Sequence, residues 1–204
     1  VRTLTGVPHV AISQGTLMTH NPPVPWIINN MKKASNSKVP QGTKANVSGA
    51  KLESRVEYMI KSQLGIESKH ASRTKETDNI LLKNVKYTNV YGNTQCRSEF
   101  VCCYKSRKIR IECKTQHSAG SVDEKLPYLF MNFTTTIPES EAIIIIEGEG
   151  FKKGAKEWLK TNCKGTKVMV MDATEFWQYL DDGLPKPKLS LRNNVVTALK
   201  GFLS

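Results

Sequence analysis

The chain has 204 residues, 39% hydrophobic and 7% aromatic, a composition that suits one soluble globular domain with polar elaborations. Thirty Lys and Arg stand against 18 Asp and Glu, for a net charge of +12 and a pI near 9.5. That balance favours a polyanionic partner, nucleic acid ahead of an acidic membrane surface, and no apolar run approaches the ~20 residues that would span a bilayer.

Residues 1–47 are rich in Thr, Ser, Asn and Pro, and Asn21-Pro-Pro-Val-Pro25 blocks a helix locally. They read as a basic, partly irregular arm, either a solvated extension or one that tracks phosphates. No signal-peptide pattern is read there. Ser48–Leu64 has the pattern of an amphipathic helix, with Leu52, Val56, Met59, Ile60 and Leu64 on one stripe and Gly65 as its stop. Glu53 projects into that stripe and Glu57 lies at its edge. A carboxylate there is costly to bury unless it meets a cation or a metal; Arg55 and Lys61 are candidate cations. Residues 66–84 are polar and read as a surface loop. A strand over Val85–Val90 follows, with a turn at Tyr91-Gly92-Asn93.

Cys96–Gln116 is the stretch the rest is expected to serve. Alternation on both sides of Lys105-Ser106 predicts two strands joined by a two-residue turn, with Phe100 opposite Ile111 and Cys102 opposite Ile109. The same register sets Glu99 opposite Glu112, on a face shared with Arg110 and Lys114. Opposed carboxylates with Cβ atoms only ~5 Å apart repel unless a cation or proton lies between them. Glu99, Glu112 and Lys114 therefore form a candidate divalent-metal site with a cationic neighbour. Glu-x-Lys or Asp-x-Lys also occurs at Glu67 and Asp123, but only Glu112-Cys-Lys114 lies on an alternating strand with an acid on the strand before it.

Gln116, on the same strand face, either orients Lys114, contacts a phosphate, or is simply a polar strand end. Ser121-Val-Asp-Glu124 has the form of a capping box opening a helix to about Thr134. Lys125 in its first turn and His117 before it are candidate nucleic-acid contacts. Ala142–Ile146 reads as a strand buried on both faces. Glu147-Gly-Glu-Gly150 completes no phosphate-loop motif, so no nucleotide cofactor is expected. Lys152–Cys163 reads as a helix whose Lys152, Lys156 and Lys160 form either a solvated row or a phosphate track. A strand at Lys167–Met171, a helix at Thr174–Leu180, a linker at Pro185–Lys188 and a short helix at Leu191–Leu203 complete the order. The five cysteines include no Cys-x-x-Cys pair and the four histidines are scattered, which argues against zinc and for a reducing compartment.

Ser98-Glu99 followed by Glu112-x-Lys114 resembles the PD-(D/E)xK nuclease superfamily, with Ser-Glu where that family usually has Pro-Asp. The resemblance runs from about Gly49 to Asp172 and implies a restriction-endonuclease-like core, an α/β fold with a central mixed β-sheet flanked by helices. Over residues 48–183 it implies Glu99 and Glu112 as metal ligands, Lys114 as the catalytic lysine, and Glu53 on the preceding helix as a third acid, with Glu57 second to it. By the same resemblance the cofactor is Mg2+, with Mn2+ able to substitute. The expected substrate is double-stranded DNA, cut by a cytoplasmic, restriction- or phage-type endonuclease acting as a homodimer. Residues 184–204 are expected to form a C-terminal linker and helix. Two other readings stand beside this one: a non-catalytic nucleic-acid-binding module, and an interaction protein whose charge only confers solubility.

Overall fold

Ala142–Ile146 is buried on both faces, every residue at most 5% exposed, because the strand that contains it lies between two parallel neighbours and two layers of helices. The computed structural model describes residues 41–185, without the side chains of residues 41–46. The expected arm up to residue 40 and the C-terminal helix lie outside the described residues. In chain order the elements are α1 (Gln41–Leu64), β1 (Glu67–His70), a 3-10 turn (Ala71–Arg73), β2 (Ile80–Thr88), β3 (Gln95–Tyr104), β4 (Arg107–Thr115), α2 (Val122–Thr135), β5 (Glu141–Glu147), α3 (Lys153–Cys163), β6 (Val168–Met171) and α4 (Ala173–Asp181).

The six strands form one sheet in the order β1-β2-β3-β4-β5-β6. β2, β3 and β4 run as an antiparallel meander, while the β1–β2, β4–β5 and β5–β6 pairings are parallel. Parallel neighbours need a crossover, and α2 and α3 supply the last two. Leu52, Val56 and Ile60 of α1, with Phe176 and Leu180 of α4, pack on Ile109, Ile111, Ile143 and Ile145. Leu126, Leu129 and Phe133 of α2, with Leu159 of α3, pack on Ala142, Ile144 and Ile146. Each fully buried isoleucine contributes roughly 1.5–3 kcal/mol to this sandwich. The result is the expected α/β fold, a mixed sheet flanked by four helices among the described residues.

The central hairpin has the expected register, Phe100 with Ile111 and Cys102 with Ile109. Lys105 and Ser106 turn it with φ of 49° and 59°, the doubly positive geometry that matches strand twist. Elsewhere the structure corrects the sequence reading. β2 begins at Ile80, inside the expected loop, because Ile80, Leu81 and Leu82 are all buried, a run without alternation. β1 also falls in that loop; as an edge strand with no buried side chain it carries no apolar signal. The first helix starts at Gln41 rather than Ser48, its opening turns being polar and without a stripe. Ser121 makes no side-chain cap, whereas Asp172 and Glu175 form a complete capping box at α4.

Candidate active site

Strict alternation fails at one level of the sheet, and that failure builds the site. Lys83 pairs with Phe100 and Val85 with Ser98, but the intervening Asn84–Glu99 pair drops out of the ladder and Asn84 has φ of 60°. On one side of this break Leu81, Phe100 and Cys102 face α1. On the other side Tyr87 and Cys96 pack with α2, so both strands have exchanged faces across one residue. Asparagine tolerates the left-handed conformation that such a kink demands. The β3–β4 ladder ends at Phe100–Ile111, one step before Glu99 and Glu112. Glu99 therefore lies where the strands part and reaches across to accept a hydrogen bond from the Cys113 backbone N–H at 3.2 Å.

Lys114 joins the two acids. Its ammonium contacts Glu112 Oε1 and lies 3.7 Å from Glu99 Oε1. Glu112 is 5% exposed, and its second oxygen, Oε2, is buried without a hydrogen-bond partner. Burial raises the Glu112 pKa well above the usual carboxylate range; Lys114 opposes the shift and Glu99 adds to it. Burial acts against the Lys114 charge, but Glu112 and Glu99 outweigh it and its pKa rises, so the ammonium keeps its proton. The buried Cys113 thiol is also pushed well upward, first by burial and then by Glu99, Glu112 and Glu53.

Glu53 approaches from α1. It has no hydrogen-bond or ion-pair partner among the described residues, and its pKa is raised by burial and by Glu99 while Lys114 and Lys83 lower it. Its carboxyl is thus in electrostatic reach of the pair without being tied to it. Glu57 is tied elsewhere, accepting from Lys83 Nζ at 2.6 Å and from Ser68 Oγ. Arg55, a candidate partner for these acids from sequence, instead contacts Glu147 at the end of β5.

The remaining expected contacts separate into committed and free side chains. Gln116 is buried with both ends of its amide engaged: Nε2 donates to Gly150 O at 2.8 Å, and Oε1 accepts from Val122 N at 2.9 Å. A Cβ at Gly148 would strike the Gln116 carbonyl, and one at Gly150 the Ser118 backbone, so these glycines allow two loops to meet backbone to backbone. Lys156 donates to Gly148 O at 2.9 Å and covers the Phe151 ring. His117 is exposed, beside Thr115 Oγ1 at 3.1 Å. The Lys125 and Lys152 side chains are exposed, while the Lys152 backbone N–H caps onto Asp123 Oδ2 at 3.4 Å.

One supporting group escapes sequence reasoning. Arg110, 1% exposed, makes a two-pronged pair with Glu139, both contacts 2.7 Å, and donates to Ser98 Oγ at 2.7 Å and Val85 O at 3.1 Å. Its guanidinium lies 5.2 Å from the Tyr87 ring centroid. It stitches β2 and β3 to β4 immediately beside Glu99. The signal in sequence was an arginine at an inward position of a core strand, but its partner Glu139 lies on a loop that no pattern places there.

A hard divalent cation fits this donor set. Glu112 offers a buried carboxylate oxygen with no partner, Glu99 a second carboxylate and Glu53 an untied third. Among the described residues no three His, Cys, Asp or Glu side chains are already gathered tightly enough to hold an ion, because Lys114 bridges the two strand acids. The described cysteines are all free thiols, and no helix among the described residues is long and apolar enough to cross a membrane. No curated protein matches the chain. The family model described as a PD-(D/E)XK nuclease superfamily domain matches residues 44–180, well over half of the chain and all of the site just described, and the chain belongs to that superfamily.

Proposed function

We propose that this protein is a Mg2+-dependent endonuclease that hydrolyses phosphodiester bonds of double-stranded DNA. The observation that carries the reading is the convergence of Glu99, Glu112 and Lys114 where β3 and β4 part, with Glu53 in electrostatic reach from α1. Glu99 and Glu112 would hold the cation and Glu53 would support it, directly or through water; Mn2+ would substitute. When bound, the metal supplies a better water nucleophile and offsets charge on the scissile phosphate. The chain's own contribution is electrostatic. Lys114, held protonated by its acidic neighbours, places positive charge where negative charge develops on the phosphate. The net charge of +12 supports a polyanionic substrate, and the superfamily supports a restriction- or phage-type homodimer in which each subunit cuts one strand.

A non-catalytic nucleic-acid-binding module is the second reading, favoured by the way Lys114 already balances both acids as a purely structural ion pair would. Plasmid incubated with purified protein with and without Mg2+ separates the two, with Lys114→Ala as control. The nuclease reading expects metal-dependent nicking that falls at least ~100-fold in the variant, on the scale of removing one charge-stabilising donor, while DNA retention survives. Cleavage by the variant at the wild-type rate would remove Lys114 from the mechanism.

A further inference from the structure

The β2–β3 hairpin beyond the kink has two dissimilar faces. One is buried: Tyr87 and Cys96 pack with α2, and Arg110 ties the Val85 carbonyl to the Ser98 hydroxyl from beneath. The tip is pinned as well, Val90 N donating to Asn132 Oδ1 at 2.7 Å, and Tyr91 stacking on Tyr128 of α2 with ring centroids 5.7 Å apart. The other face is exposed and carries Lys86 directly opposite Arg97, with Thr88 opposite Gln95 one step further out. Gln95 Nε2 donates to Thr88 Oγ1 at 3.1 Å, which leaves the two cations as the uncommitted members of the strip. Neither Lys86 nor Arg97 has a hydrogen bond or ion pair among the described residues.

Like charges directly opposed across an antiparallel pair repel and destabilise the strands that hold them. Here they sit on a platform clamped from below, two residues along β3 from Glu99, on the side to which the Asn84–Glu99 kink turns the hairpin's outer residues. Without that exchange of faces Lys86 and Arg97 would point toward α2. We infer that Lys86 and Arg97 form a phosphate clamp that grips the backbone of the substrate DNA beside the cleavage site. The inference rests on the nuclease reading for its ligand but not on the chemistry at Lys114. A backbone phosphate held between them relieves the repulsion of the two cations.

The test is binding of a fluorescent 30-base-pair DNA duplex in EDTA, so that nothing is cut, followed by anisotropy across a salt series. In Lys86→Ala/Arg97→Ala affinity should fall roughly tenfold at 100 mM salt, and the slope of log K against log salt should flatten by roughly 0.9, the change for one phosphate no longer neutralised. A charge-matched control, Lys75→Ala/Lys164→Ala, should change neither quantity by as much. Arg97→Glu gives a second readout of opposite sign: it creates a cross-strand ion pair with Lys86, so Tm should hold or rise while affinity falls. If wild type binds the duplex and the hairpin variant binds it with the same slope, or no more weakly than the control, the clamp is refuted and the nuclease reading stands. If wild type binds no DNA even at low salt, both fall together. A loss of Tm in Arg97→Glu would mean that Arg97 serves the fold, and would also overturn the clamp.

Discussion

Arg110→Ala tests whether the kinked strands are held in place by a buried charge. The substitution removes a guanidinium that is 1% exposed and leaves the Glu139 carboxylate, 8% exposed, without its two-pronged partner, while Ser98 Oγ and Val85 O each lose a donor. Breaking a buried pair by removing one partner costs about 3–5 kcal/mol. For a domain of this size each kcal/mol moves Tm by roughly 2–4 °C, so the expected fall is about 6–20 °C, read by calorimetry or urea denaturation at pH 7. Because Ser98 precedes Glu99, metal-dependent cleavage per folded molecule should fall as well, at temperatures where the variant is still folded. Arg110→Met/Glu139→Met removes both charges together and should recover most of the stability, since apolar replacement of a buried pair is often neutral or better. It should not recover cleavage, because methionine cannot tether Ser98 and Val85. A stability loss below about 1 kcal/mol in Arg110→Ala, or full cleavage in the double variant, would refute the buried arginine as the device that positions Glu99.

Three further outcomes follow from other parts of the site. Gly148→Ala should destabilise by about 1–3 kcal/mol and loosen the loops around Gln116, because φ there is 110° and the new methyl would meet the Gln116 carbonyl; unchanged denaturation midpoints would count against the backbone packing. Burial pushes the Glu57 carboxyl upward, but its hydrogen bonds from Lys83 and Ser68 prevail and its folded pKa is lowered. The stability Glu57 contributes is therefore present above its unfolded pKa and lost as pH falls through the lower folded value; the gap between wild type and Glu57→Gln should close over that acid window, and a gap independent of pH would mean that the pairing is not electrostatic. Glu53→Gln should weaken metal-dependent cleavage while leaving stability within about 0.5 kcal/mol of wild type, since the side chain has no partner to lose; a large drop in Tm would show instead that its carboxyl supports the fold.

How much of this was legible beforehand depends on the range of the interaction. The turn at Lys105-Ser106, the register of Phe100 with Ile111, the doubly buried Ala142–Ile146 strand and the pairing of Glu112 with Lys114 all follow from neighbours in the chain or from an alternation of two. β1 was invisible because an edge strand with solvated side chains leaves no pattern, and the start of β2 because three buried residues in a row leave no alternation. Gln116, Glu57 and Lys156 looked available because a sequence does not reveal which loop carbonyl, lysine or backbone N–H will face a side chain.

By itself, the sequence determined the chemistry on offer: two acids and a lysine on adjacent strands, a third acid on a helix, and an excess of positive charge. Where those groups stand was decided only by the folded chain. A left-handed asparagine on β2, opposite Glu99, turns two strands over at one level, and a buried arginine reaching a distant glutamate holds them so. A local pattern repeats every two residues and cannot encode the residue at which the repeat breaks; that position is set by what packs against it from other parts of the chain.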